Sequence, residues 1–196
     1  KVSAFAQRIL VALNEMPGVE RATVCSPGVG STWRMNRNVT FLDNSREYPD
    51  ARVGIVQTSP NYFESLGQTL RQGRYFSSGN EILNEVIVNQ EFVRSFAPDR
   101  SPIGEQFRLS GHGVQVFSII GVVDNQNAKL EIRELQPHVY ISHLHPMTSS
   151  SRLGVLVETK ADAVQFGLAV REAVMRLDSL QPVGPPLTVA AVIEKN

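Results

Sequence analysis

The sequence has one cysteine, no excess of either charge and no long hydrophobic run, and each absence excludes a class. Cys25 is the only cysteine in 196 residues, so no intrachain disulfide can form and cysteine usage identifies no redox compartment. Nineteen Lys and Arg balance nineteen Asp and Glu, which argues against a nucleic-acid surface, because phosphate binding rests on a clustered basic excess. The longest apolar runs, 117–123 and 187–193, fall short of the roughly 18–20 residues that span a bilayer. The sequence opens at Lys1 inside a helical pattern, with neither the charged nor the apolar region of a signal peptide, and is expected to be a soluble piece of a longer protein. What remains is 42% hydrophobic and 19% charged. That is ordinary globular composition, long enough for one large domain or two small lobes.

Periodicity supplies the element order. Phe5, Ile9, Leu13 and Met16 share a helical face that Pro17-Gly18 ends. Val19 to Cys25 reads as a strand, and Ser26 to Asp50, rich in Gly, Pro, Asn and Ser, as long loops around one weak strand near Val39 to Leu42. A strand over Arg52 to Gln57 leads into a short helix with Ser59 as N-cap, Pro60 at its first position and Gly67 past its end. Glu85 to Val88 is a strand, followed by a helix that Asn89 caps, with Glu91 in its first turn, Phe92 and Phe96 on one face and Pro98 at its end. A turn at Pro102-Ile103-Gly104 opens a hairpin, Glu105 to Leu109 and Val114 to Val123, whose second strand is apolar on both faces and therefore central. Strands at Val139 to Ser142 and Leu153 to Thr159, a helix from Asp162 to Leu177, and a strand at Leu187 to Val192 complete the chain. The ends read as two halves of a split βαβ pair whose first strand would precede Lys1.

Gly28-Val29-Gly30-Ser31-Thr32 has glycines suited to an anion, but no third glycine, no Gly-Lys-Ser/Thr and no following helix, so it reads as a loop and the chain is not an ATPase. His138, His143 and His145 could supply imidazoles to zinc, yet no Cys, Asp or Glu partner stands at a motif distance. Cys25 has no base partner and no Gly-x-Ser-x-Gly elbow exists, so Cys25 reads as a small buried hydrophobe. Asp124 follows a strand, as many catalytic acids do, but Asp124-Asn125 reads better as a chain turn. Asn38-Val39-Thr40 fits a glycosylation triplet that would matter only in a eukaryotic secretory context. Tyr62, Phe63, Tyr75, Phe76, Phe92 and Phe96 fit core packing better than base stacking. No catalytic, cofactor or metal residue is assigned.

Five segments then occur in register: Thr58-Ser59-Pro60-Asn61-Tyr62-Phe63-Glu64-Ser65-Leu66-Gly67, Leu70-Arg71-Gln72-Gly73-Arg74-Tyr75-Phe76, Val86-Ile87-Val88-Asn89-Gln90-Glu91-Phe92, Ser101-Pro102-Ile103-Gly104 and Ile120-Gly121-Val122-Val123-Asp124, with Pro17-Gly18-Val19-Glu20 upstream. Together they resemble the MacB-like periplasmic core domain of bacterial ABC-transporter permeases, in particular large permeases without a fused ATPase. The resemblance is clear from about Pro17 to Tyr140 and looser beyond; Ser26 to Asp50 matches nothing in it. It implies an α+β fold: a porter-like lobe of split βαβ halves from both chain ends, residues 1–50 and 136–196, with a smaller α/β lobe inserted over 51–135. It also implies a periplasmic position on the bacterial inner membrane, with transmembrane helices of the same polypeptide on either side. ATP would be hydrolysed by a separate cytoplasmic subunit, and motion passed through the membrane for export or efflux. A periplasmic adaptor is a further partner of several members, and nucleic acid is not one.

The matching residues are turns, caps and core positions, so they specify fold rather than substrate. Two further classes stay open in the sequence: a lipid- or solute-binding module with its cleft between the lobes, and a small metal enzyme using the three histidines.

Overall fold

A computed structural model describes residues 2–29, 35–42, 47–77, 83–110, 115–125, 136–146 and 152–195. Its elements, in order, are α1 (Val2–Asn14), β1 (Val19–Ser26), β2 (Met35–Phe41), β3 (Glu47–Thr58), α2 (Tyr62–Ser65), β4 (Leu70–Gly73), β5 (Glu85–Asn89), α3 (Gln90–Phe96), β6 (Gln106–Leu109), β7 (Val116–Val123), β8 (His138–Ser142), β9 (Gly154–Thr159), α4 (Ala163–Leu177) and α5 (Val189–Lys195). The mixed α+β architecture is the one expected.

Six strands close into a ring. The order β2-β6-β7-β5-β8-β3 is hydrogen-bonded throughout, and β3 pairs back onto β2. The β3–β8 and β5–β7 pairs are parallel and the other four antiparallel. Alternation points one set of side chains inward: Val39 and Phe41, Val53 and Ile55, Val86 and Val88, Phe107 and Leu109, Phe117 and Ile119, Val139 and Ile141. Helix α3 adds Phe92 and Phe96 to this core, their rings edge to face at 4.8 Å. One extra residue, Ile120, interrupts the β5–β7 register between Ile119 and Gly121. That bulge inverts the alternation, so Val122 joins the barrel core while Val123 joins the outer cluster.

The outer cluster covers the opposite face of β3, β5 and β8. Val56, Ile87 and Tyr140 point outward and are buried beneath Tyr62 and Phe63 of α2 and by Phe76. β5 and β8 are thus buried on both faces, which explains their uninterrupted apolar reading.

The chain ends build a second layer. β1 pairs antiparallel with β9, and α1 and α4 pack over this two-stranded sheet around Ile9, Leu13, Val24 and Val174. β1 and β3 join the two parts through a short ladder, Cys25 with Thr58 and Ser26 with Gln57.

Several expectations hold. Asn89 caps α3, its Oδ1 accepting from Phe92 N at 3.0 Å. The hairpin pairs Phe107 with Phe117, β7 is central, and the helix expected over Asp162 to Leu177 is α4. Three need correction. Ser59 does not cap α2: Asn61 occupies that position and contributes no side-chain bond, because the Ser59 hydroxyl is engaged with β1. Ser26 to Asp50 holds more strand than expected: β2 spans Met35–Phe41, and β3, expected over Arg52 to Gln57, already begins at Glu47, since partners remote in sequence, β6 and β8, supply their ladders. Leu187 to Val192 is not a strand. Thr188 instead starts α5, accepting from Ala191 N at its hydroxyl and from Val192 N at its carbonyl.

Candidate functional site

The barrel meets the terminal layer along a seam of buried polar side chains. Thr23 and Ser26 lie on β1, Gln57 and Thr58 on β3, Ser59 just beyond it, Ser142 at the end of β8, and His143 and His145 after it; all are buried. They stand where otherwise apolar strands reach the junction. Ser59 is the centre. Its Oγ accepts from Val24 N at 3.1 Å and pairs with Thr23 Oγ1, while Ser59 N donates to the Val24 carbonyl at 3.0 Å. Ser26 Oγ donates to the Arg152 carbonyl at 2.8 Å. Gln57 Nε2 donates to the His145 carbonyl at 3.1 Å, and His143 N to the Thr58 carbonyl at 3.0 Å. At the rim, Arg21 Nη1 lies 3.0 Å from Glu64 Oε2, tying β1 to α2.

A buried polar group costs free energy unless it is bonded, so this network has one low-energy arrangement of β1 against β3. Chemically it can orient and hold. Beside it, burial pushes the Cys25 thiol up to about 12, which keeps it neutral.

The histidines do not assemble a metal site. His138 opens β8 with its ring 6.1 Å from that of Tyr140, and His145 packs on Phe117 at 5.5 Å with Gln115 Nε2 2.7 Å from its Nε2. His143 is buried, and desolvation holds its imidazole below the usual range. No group of three His, Cys, Asp or Glu among the described residues is placed to hold a metal ion. Asp124 is held by Arg71 through both guanidinium nitrogens Nε and Nη2, and this pairing lowers its carboxyl below the usual range. Asn125 Oδ1 accepts from Glu91 N at 2.9 Å, so Asn125 anchors the chain beside α3. Gly30, Ser31 and Thr32 lie outside the described residues. Gly28 packs against Gly154 of β9, where a Cβ on Gly154 would come 2.5 Å from Gly28 Cα. Val39 of the glycosylation triplet is buried inside the barrel, and the six aromatic residues divide between the two barrel clusters as packing residues.

The seam was not assigned from sequence. Its signal was a run of hydroxyl residues, Thr58-Ser59 and Ser142, closing strands of apolar and β-branched character.

The MacB-like periplasmic core domain matches residues 3–173. The fold is similar to the periplasmic region of MacB from Actinobacillus actinomycetemcomitans, with a TM-score of 0.64 and 15% identity over 88% of this chain and 73% of that one. It is also similar to the extracellular domain of the noncanonic ABC-type transporter YknZ from Gram-positive bacteria, with a TM-score of 0.59 and 14% identity over 88% and 81%. No curated protein matches the sequence. No helix among the described residues is long and apolar enough to cross a membrane. The family match covers most of the chain, and the chain belongs to the MacB-like periplasmic core domain family of ABC-transporter permeases.

Proposed function

We propose that this chain is the non-catalytic periplasmic part of an export permease of the bacterial inner membrane, flanked by transmembrane helices of the same polypeptide and driven by a separate cytoplasmic ATPase. Its role is to pass conformational change from those helices to a partner or substrate outside the membrane. The seam at Ser59 is the observation that supports this most: it fixes the strand nearest the chain termini to the barrel through a bonded, buried network, so displacement of one part is carried to the other.

The division into a terminal porter-like lobe, 1–50 with 136–196, and an inserted lobe, 51–135, is part of this proposal. The β1–β9 pairing supports a lobe built from both ends, and the closed ring supports an inserted unit. That ring takes in β2 and β8 as well. A periplasmic adaptor is the partner this arrangement would serve.

The test is made in the complete transporter. Ser59→Ala is expected to leave basal ATP hydrolysis intact while lowering transport at least several-fold. Unchanged transport with an opened seam would overturn the coupling role, and a polypeptide without apolar spans around this domain would overturn the permease reading itself.

A further inference from the structure

We infer that protonation of His145 releases the seam, so that the hold of the barrel on β1 is a latch sensitive to acid. The inference deepens the coupling role proposed above and rests on it only for the consequence in transport: in a permease whose outer part meets the pH of the medium, such a latch ties coupling to acidity.

The first observation is where the latch attaches. The ladder between β1 and β3 consists of Cys25 with Thr58 and Ser26 with Gln57. Both β3 members are gripped from the opposite side, where β8 lies, by the residues that follow β8. His143 N donates to the Thr58 carbonyl at 3.0 Å, and the His145 carbonyl accepts from Gln57 Nε2 at 3.1 Å. The segment is also folded on itself, with Leu144 N donating to Ser142 Oγ and His145 N to the Ser142 carbonyl, each at 3.0 Å. A shift of His145 therefore moves the two residues on which β1 hangs.

The second observation is the state of the ring. Gln115 Nε2 lies 2.7 Å from His145 Nε2, and an amide nitrogen can only donate. His145 Nε2 is thus the acceptor, the ring is neutral, and its proton sits on Nδ1. The same Gln115 nitrogen donates to Asn84 Oδ1 at 2.9 Å, which sets the orientation of the amide. An imidazolium carries a donor at both ring nitrogens, so protonation turns this bond into an opposition of two N–H groups.

The third observation is what surrounds it. His145 is 0% exposed, and its ring packs at 5.5 Å on Phe117, a residue of the barrel core. The groups facing it are Gln57 of β3, Ser142 of β8, Gln115 just before β7 and Phe117 within it, all uncharged. On β5, the first residue, Glu85, has its carboxylate engaged by Arg74. The other titratable group of the segment, His143, is itself buried and resists protonation. A charge placed on His145 has no carboxylate among these partners and no water to solvate it, which makes the closed arrangement refuse the proton. An open one accepts it. Opening is therefore driven as pH falls through the ordinary histidine range, about 6.5, and the latch is closed above it.

The test is amide exchange of this chain at pH 7.5 and 5.5, each corrected for the intrinsic pH dependence of exchange. Protection of the Ser59 and His143 amides is expected to fall at least tenfold between the two, with the amides of Val86, Ile87 and Val88 unchanged. In His145→Gln, which keeps an acceptor for Gln115 and cannot be protonated, the fall is expected to shrink to about threefold or less. Gln115→Glu sets a carboxylate against His145 Nε2 and is expected to hold the seam protected at pH 5.5, which keeps the test decisive if His145→Gln does not fold. A native chain without the fall, a full tenfold fall in His145→Gln, or one in Gln115→Glu would overturn the inference and leave the permease reading standing. That reading is tested separately by the apolar spans around the domain, and the coupling role by transport in Ser59→Ala.

Discussion

The barrel and the terminal layer solve the same problem to different degrees. In the barrel each of the six ring strands meets a neighbour on both sides, and the interior is filled by fifteen buried residues from those strands and α3, while α2 covers part of the outer face. In the terminal layer β9 is the last strand of the sheet among the described residues, and most hydrophobic side chains are partly exposed. Closure satisfies backbone groups without outside help, whereas an open layer relies on what docks against it. Stability should therefore be concentrated in the barrel, and responsiveness in the layer beside the chain ends.

The largest effect should come from the barrel interior. Phe107 is fully buried, with ring centroids 5.8 Å from Phe41 and from Phe92 and 6.1 Å from Phe117. Phe107→Ala should cost about 3–5 kcal/mol, because the closed ring cannot collapse into the cavity, and denaturant titration should show a lower midpoint. A loss below about 1 kcal/mol would mean the barrel is looser than the terminal layer, reversing the comparison.

Next come the places where backbone and seam hold the parts together. Gly73 has φ +74°, and a Cβ there would meet the Ile120 carbonyl oxygen. Gly73→Ala should cost about 1–3 kcal/mol through strain at a left-handed position and should loosen β4 from β7. At the seam, Ser59→Ala strips Val24 N and Thr23 Oγ1 of a buried partner and should cost about 1–3 kcal/mol. A double-mutant cycle of Ser59→Ala with Thr23→Val should return a coupling of about 0.5–3 kcal/mol. Additive effects would show that the two hydroxyls do not act as one device.

Much of this was legible because local rules and tertiary packing agree. Asn89 caps α3 because an Asn before an apolar periodic run has few better uses. The hairpin was legible because its strands are neighbours in sequence. The ring was not: β2 is polar at alternate positions and short, and becomes a strand only when β6 and β3, distant in sequence, pair with it. Ser59 misled for the opposite reason. It has the chemistry of a cap, and the fold uses that chemistry across 35 residues of separation instead. The seam, the part of the candidate site that matters most, was invisible for the same reason, since hydroxyls at strand ends look like turn residues until the partner strand is known.

A smaller effect should follow pH. Burial lowers the folded-state pKa of His143 below its ordinary 6.5, so between those two values the unfolded chain binds a proton that the folded chain refuses. The contribution is fully favourable above about pH 6.5 and is lost as pH falls toward the folded value. Melting temperatures at pH 7.5 and 5.5 should fall less in His143→Gln than in the native protein. Because His143 N is tied to Thr58 at the seam, the loss should appear first as exchange of the seam amides rather than of the barrel interior. An unchanged pH dependence in the variant would remove His143 as its source.

The smallest effect should come from Leu168→Ala. A leucine on a helix of this size is ordinarily a core residue, and its truncation in the barrel would rank with Phe107 in kind. Here its side chain is 55% exposed, so in the 196-residue chain truncation should change stability by no more than about 0.5 kcal/mol. Alanine also has the higher helix propensity, which offsets part of the lost contact. A large cost would mean that this face of α4 is already covered, and the contrast between a closed barrel and an open layer would fail at the residue where it is drawn most sharply.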